Sequence, residues 1–279
     1  MILYLMKRKT KIIIVSVVLV LLLILIFAYF ALVSSKTVIA QLDVESGTVL
    51  VNGKQVTETT HLSQEDIIET GANSLATVIL YESIVINLEP NTKISLDDLT
   101  KENPVVSQVA GNAFYQVTNL FGINSYTVKS GNSVASVRGT EFFIEEDKIS
   151  VTEGEVAYEL DGKSFSVKGG RAVEKINGEI IERELTPEEI KRIKLLRERA
   201  IKGLRDLRQK ELEKHPVVLR TVKRQYSISS ADIEDAFDMA DKGELDLEDF
   251  RDKAPVNLDS VDKIIAITKE IRQLNQEEL

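Results

Sequence analysis

Cysteine is absent from all 279 residues. That removes disulfides, thiolate zinc sites, iron–sulfur clusters and cysteine nucleophiles, and it leaves stability to packing. The two histidines, His61 and His215, lie far apart in sequence and read as surface or loop residues rather than metal ligands. Tryptophan is also absent and aromatics make up 6% of the chain, so a sugar-stacking platform would have little beyond Tyr81, Tyr115, Tyr126 and Tyr158 to draw on. No Asn-x-Ser/Thr acceptor occurs. The formal net charge of −9 argues against a general nucleic-acid binder. Nucleophile elbow, Walker loop and His-Glu-x-x-His are all missing, and no cofactor is implied. Acidic residues are scattered throughout. A hydrolase built on two carboxylates therefore stays open as a minor reading, because their separation is a spatial quantity.

What is present begins with an apolar run. Residues Ile12 to Val33 are interrupted only by Ser16 and Tyr29, and a basic cluster (Lys7, Arg8, Lys9, Lys11) precedes them. About 22 residues at about 1.5 Å each give about 33 Å of helix, enough for a hydrocarbon core of about 30 Å. No face of the segment is polar, which argues against a buried soluble helix. The expected organisation is a cytoplasmic basic tail over 1–11, a transmembrane helix over 12–33, and everything after residue 35 outside the cytoplasm. A cleaved export signal is the alternative. Its apolar core would be shorter, about 7–15 residues, and no Ala-x-Ala stands near Val33-Ser34-Ser35. Either way the bulk of the chain is exported.

Residues 37–183 read as short strands with frequent turns. Asn52-Gly53, Asp161-Gly162 and Asn177-Gly178 are hairpin turns. Ala76–Leu80 and Ile84–Leu88 are β-branched and almost continuously apolar, as strands buried on both faces are. The expected fold is mainly β, an antiparallel sandwich or roll. Residues 186–279 then change period. Thr186-Pro187-Glu188-Glu189 supplies an N-cap, a proline at the first helical position and a glutamate at the third. Ile190, Ile193, Leu196, Ala200, Leu204 and Leu207 form one apolar stripe, predicted to dock on the β region or on a second copy of the chain. Further helices start near Ser230 and Leu258. Residues 187–224 carry an excess of about seven positive charges and 225–279 about nine negative, which reads either as solvated helix faces or as two halves that attract and fold back as a small bundle.

The order of landmarks in the β region resembles the FecR-like domain family. Gly47 opens a strand ending at Asn52-Gly53. Asp66-Ile67-Ile68-Glu69-Thr70-Gly71 follows, then Ser74–Leu80, Ile84–Leu88 and Pro90–Leu96. The most specific piece is Ser136-Val137-Arg138-Gly139-Thr140-Glu141-Phe142, followed by Val151–Val156 around Gly154. The resemblance implies an all-β, extracytoplasmic, non-enzymatic module tethered by one membrane helix, of the kind that relays receptor occupancy to a cytoplasmic sigma factor. This chain departs from that pattern. Only about 11 residues precede the apolar run, too few for a cytoplasmic regulatory domain. Tyr81-Glu82-Ser83 also replaces the usual Asp-Gly-Ser turn.

The motif residues Arg138, Gly139, Thr140, Phe142, Gly154 and Gly71 read first as structural. A glycine inside an apolar strand suggests a bulge or a close backbone approach. A bulge at Gly139 would aim Arg138 at a carboxylate, with Glu141 and Glu153 as candidates; a ligand-binding arginine is the other reading. Residues 238–250 imitate a calcium loop through Asp238, Asp246 and Asp249, but Ala240 and Lys242 occupy ligand positions and no metal site is expected. The leading reading is a membrane-anchored extracytoplasmic module that binds a ligand or protein. Its partners would be lipid through residues 12–33 and a membrane or envelope protein, with no nucleic acid, and self-association could run through the C-terminal helices. A component of a receptor-coupled signalling system is the second reading.

Overall fold

Turn chemistry sets the hairpins. Asn52-Gly53, Asp161-Gly162 and Asn177-Gly178 all hold both residues at positive φ (51° and 75°, 50° and 74°, 51° and 84°). That geometry carries the same twist as the strands it joins. The computed structural model describes residues 40–276 apart from 82, 101, 118–122, 215, 217–218, 221–222, 225–226, 228, 249–250 and 252–258. Among the described residues no helix is long and apolar enough to cross a membrane. The expected span, 12–33, lies outside them.

The strands form two nine-stranded sheets. Sheet 1 runs β18 (Glu179–Glu184), β17 (Arg171–Ile176), β14 (Lys148–Glu153), β13 (Thr140–Glu145), β10 (Ala113–Val117), β7 (Ile84–Leu88), β6 (Leu75–Leu80), β1 (Ala40–Ser46) and β4 (Thr60–Leu62). Sheet 2 runs β16 (Lys163–Lys168), β15 (Glu155–Leu160), β12 (Ser133–Val137), β11 (Tyr126–Ser130), β9 (Val105–Ala110), β8 (Lys93–Asp98), β5 (Ile67–Thr70), β2 (Val49–Val51) and β3 (Lys54–Val56). Hairpins alternate between the sheets as the chain advances, so both sheets grow in the same direction. Among the described strands, pairing is antiparallel except between β9 and β11. The mainly β, antiparallel-dominated architecture agrees with the sequence pattern, and the parallel pair is the addition.

One core lies between the sheets, with Leu42, Val78, Ile86, Ile94, Tyr115, Tyr126, Phe142 and Tyr158 buried in it. The outer faces differ. Strands β7 and β10 are buried at every position, whereas β15 alternates buried and exposed throughout. The difference comes from the helices. α1 (Pro187–Glu213) and α3 (Asp259–Gln276) lie on sheet 1, where Ile193, Leu196, Ala200, Leu204 and Leu207 meet Ile79, Val85, Phe114 and Phe143 together with Ile267, Ile271 and Leu274. Each large side chain so buried contributes about 1.5–3 kcal/mol. The stripe on α1 thus docks within the chain. That continuous burial is why Ala76–Leu80 and Ile84–Leu88 lack polar alternation.

Polar groups fix the register of this docking. The capping box at Thr186 forms as the sequence indicates. Its Glu189 also accepts Arg183 at 2.8 Å twice and Lys148 at 2.8 Å, tying the last hairpin to the start of the helix. The Arg183 guanidinium, with Lys148 and the Thr186 N–H behind it, holds the Glu189 carboxyl well below the usual carboxylate range against the opposing effect of desolvation. The Asn87 amide donates to the Leu196 carbonyl at 2.9 Å. Arg197 forks onto Glu141 at 2.9–3.2 Å; Glu141 is 0% exposed and also accepts the Thr152 hydroxyl. Farther along α1, Arg208 and Arg205 hold the buried Asp241 at the end of α2 (Ser230–Asp241). Arg208 also donates to Thr268 of α3 at 3.0 Å. The basic helix and the acidic tail therefore meet, as their charges suggested.

Breaking one member of a buried pair leaves the other charge stranded, at a cost of about 3–5 kcal/mol, while replacing both with apolar groups is often near neutral. Arg197→Met should therefore lower unfolding free energy by about 3 kcal/mol in denaturant melts, and Glu141→Leu/Arg197→Met should recover most of it. Equal losses in the single and double variants would show that the pair does not act as a unit.

Candidate binding face

Sheet 2 presents an outer face that the helices leave bare among the described residues. Its strand register lines up short side chains in rows. Val105, Thr127, Ser136, Ala157 and Ser166 stand opposite one another across β9, β11, β12, β15 and β16. A neighbouring row runs Ser95, Ser107, Lys129, Val134, Glu159 and Ser164. The first row holds only short side chains, which keeps the surface low there, whereas Lys129 and Glu159 rise from the second. At one end of the first row the surface dips into an open pocket of about 420 Å³, lined by Ser125, Ser136, Arg138, Glu155, Ala157 and Ser166 among others.

The motif residues build the corner beside this pocket. The chain leaves sheet 2 after Val137 and enters sheet 1 at Thr140, so Gly139 (φ 64°) lies in the crossover rather than inside a strand. The register shift falls nearby, where Glu141 pairs Glu153 and Phe142 pairs Val151, leaving Thr152 as the extra residue. The close backbone approach expected of Gly139 is made through its carbonyl, which faces Gly154 in the return crossover: a Cβ there would sit 2.9 Å from that oxygen and 2.6 Å from the Thr140 methyl. Thr140 is buried beneath the corner, and Phe142 stacks on Tyr115 with ring centres 5.0 Å apart. Gly71 belongs to a separate corner, donating to Thr48 O at 2.9 Å and accepting from Asn91 N at 3.1 Å.

Arg138 departs from expectation. It is exposed in the pocket, and its predicted carboxylates are held elsewhere: Glu141 by Arg197, and Glu153 by Gln273 at 2.7 Å. The ion pair expected of Arg138 does not form; Glu141 is instead paired with Arg197 of α1. A signal for it was available, since Arg197 and Arg208 fall on the apolar side of α1, where a charge needs a buried partner. The four tyrosines considered as stacking surfaces are all buried, Tyr81 at 9% and the others at 1% or less. Burial raises the Tyr81 phenol to about 12, with Asp98 adding to it. They offer no exposed platform.

The loop that imitates a calcium site is organised otherwise. α2 stops at Lys242-Gly243 (φ 80°), with Gly243 N bonding Ala240 O and Glu244 N bonding Met239 O, a glycine C-cap. Arg272 donates to the carbonyls of Ala240 and Leu245, placing a guanidinium over the loop. Asp238 and Asp246 are exposed; Asp249 lies outside the described residues. Among the described residues no three acidic or histidine groups converge as metal ligands would.

With this geometry in place, the chain can be set beside known proteins. Residues 66–157 match the family described as FecR protein, so the β domain is FecR-like over that span. Two crystal structures of a candidate anti-sigma factor from Parabacteroides distasonis ATCC 8503 align at 20% identity over 45% of this chain and 62% of theirs, with a TM-score of 0.40. The chain thus spans about three fifths of the length of those solved relatives. No curated protein matches.

The corner makes a graded prediction. Gly162 has positive φ and open space around it, so Gly162→Ala should cost about 1 kcal/mol from backbone strain alone. Gly154→Ala adds the collision with the Gly139 carbonyl and should cost about 1–3 kcal/mol more in thermal or denaturant unfolding. Equal costs would mean that the two crossovers do not press on each other.

Proposed function

We propose that this chain is a membrane-tethered, extracytoplasmic FecR-like module that binds a protein partner through the open face of sheet 2 and serves a regulatory or signalling assembly rather than catalysis. The observation that carries the reading is the asymmetry of the two outer faces. Sheet 1 spends its outer face on the chain's own helices, with Asn87, Glu141 and Gln116 all engaged by them. Sheet 2 keeps a broad polar face with a pocket at its end. A surface of serine, threonine and small apolar residues flanked by scattered charges suits a reversible protein contact, which is more polar than a core. The FecR match favours a regulatory role, and residues 12–33 supply the tether that such a role implies. A signal would pass through a partner membrane protein.

A photo-crosslinking residue at Ala157 or Ser164 in intact cells should give a discrete protein adduct, while one at Lys202 on the outer side of α1 should not. Protease added to whole cells should destroy the module. Adducts at Lys202 alone, or a module sheltered from protease until cells are lysed, would overturn the assignment.

A further inference from the structure

We propose that the Arg138 pocket is a carboxylate-binding subsite that takes an acidic group, a side chain or a C-terminal carboxylate, from a partner peptide. The inference rests on the binding role assigned to sheet 2 and names the chemistry that role requires. Arg138 is exposed, and no ion pair or hydrogen bond joins it to another described residue. None of the nearby carboxylates pairs with it: Glu141 is bound by Arg197, while Glu153 accepts from Gln273 and Glu155 from the Ser166 hydroxyl. A guanidinium presents a planar fork that fits a carboxylate with two parallel N–H···O bonds. Ser136 lines the same pocket and can donate to such a group, and Ala157 leaves depth for it; the Ser125 hydroxyl, also on the rim, donates to Asn103.

Glu155 sharpens the choice. The register that sets Val137 opposite Val156 carries Arg138 to the level of Glu155. A doubly charged phosphate on Arg138 would be repelled by that carboxylate. A singly charged carboxylate is repelled less, and the amide N–H groups of the peptide that carries it can donate to Glu155. The pocket thus pairs an anion receptor with an acceptor for main-chain donors. A sugar acid would lack an exposed aromatic to stack on, because Tyr81, Tyr115, Tyr126 and Tyr158 are buried.

The test uses the full chain in lipid nanodiscs and four fluorescent N-acetylated alanine peptides: a free C-terminal acid, its amide, an amide with one central glutamate, and an amide with one phosphoserine. At least one carboxylate peptide should bind saturably, in about the millimolar range or tighter, and the plain amide should not. Comparison of the free acid with the glutamate amide separates the two carboxylate sources. Arg138→Gln should weaken the carboxylate peptide at least about tenfold with an unchanged melting temperature, and Glu155→Gln should improve the phosphoserine peptide relative to it. Undiminished binding by Arg138→Gln, tighter binding of phosphoserine than of either carboxylate, or no saturable carboxylate binding would overturn the subsite. Should sheet 2 adducts persist in cells carrying Arg138→Gln, the binding face stands and only the carboxylate subsite falls.

Discussion

The docking of α1 and α3 on the outer face of sheet 1 is the constraint from which the other features follow. A face carrying Ile79, Val85, Phe114 and Phe143 alongside Thr77, Asn87, Gln116 and Glu141 is too apolar to leave in water and too polar to bury without partners. The helices meet both demands. Their leucines and isoleucines cover the apolar positions, while Leu196 O accepts from Asn87, Arg197 binds Glu141 and Glu270 accepts from the Gln116 amide N–H. The apolar contacts supply most of the stabilisation; the buried Arg197–Glu141 pair costs desolvation and selects one register for α1.

Covering one face leaves the other open. The alternating hairpins commit neighbouring chain segments to opposite sheets, so the crossovers at 138–139 and 153–154 join the covered face to the open one. Glu141 and Thr152 lie on the helix side of this corner, with Arg138 and Glu155 a few residues away on the pocket side. Gly139 and Gly154, both at positive φ, let the two crossovers touch. The motif that marks the family resemblance is therefore an architectural joint that also delivers an arginine to the surface.

Much of the fold was legible because its determinants are local. Dipeptides such as Asn177-Gly178 set hairpins, Thr186 and Glu189 set the start of α1, and the near-continuous apolar runs of β6 and β7 announced burial on both faces. The candidate site was legible in part. The sequence singled out Arg138 and the glycines around it, but which arginine meets Glu141 depends on a helix 56 residues farther along. Strand order between the two sheets, the parallel contact of β9 with β11 and the choice of sheet 1 as the docking surface are likewise long-range outcomes that no local pattern encodes. The calcium-like spacing was set aside on local grounds, Ala240 and Lys242 in ligand positions; that the loop sits as a helix cap beneath Arg272 is the long-range part.

The central claim is that sheet 1 and the helices form one cooperative unit. The direct measurement is unfolding of the chain from residue 35 onward, compared with the same chain ended after Leu185, by calorimetry and sedimentation. The longer chain should unfold in a single transition. The shorter one should melt far lower or self-associate through the uncovered Ile79, Val85, Phe114 and Phe143. An unchanged melting temperature and a monomeric truncated chain would contradict it.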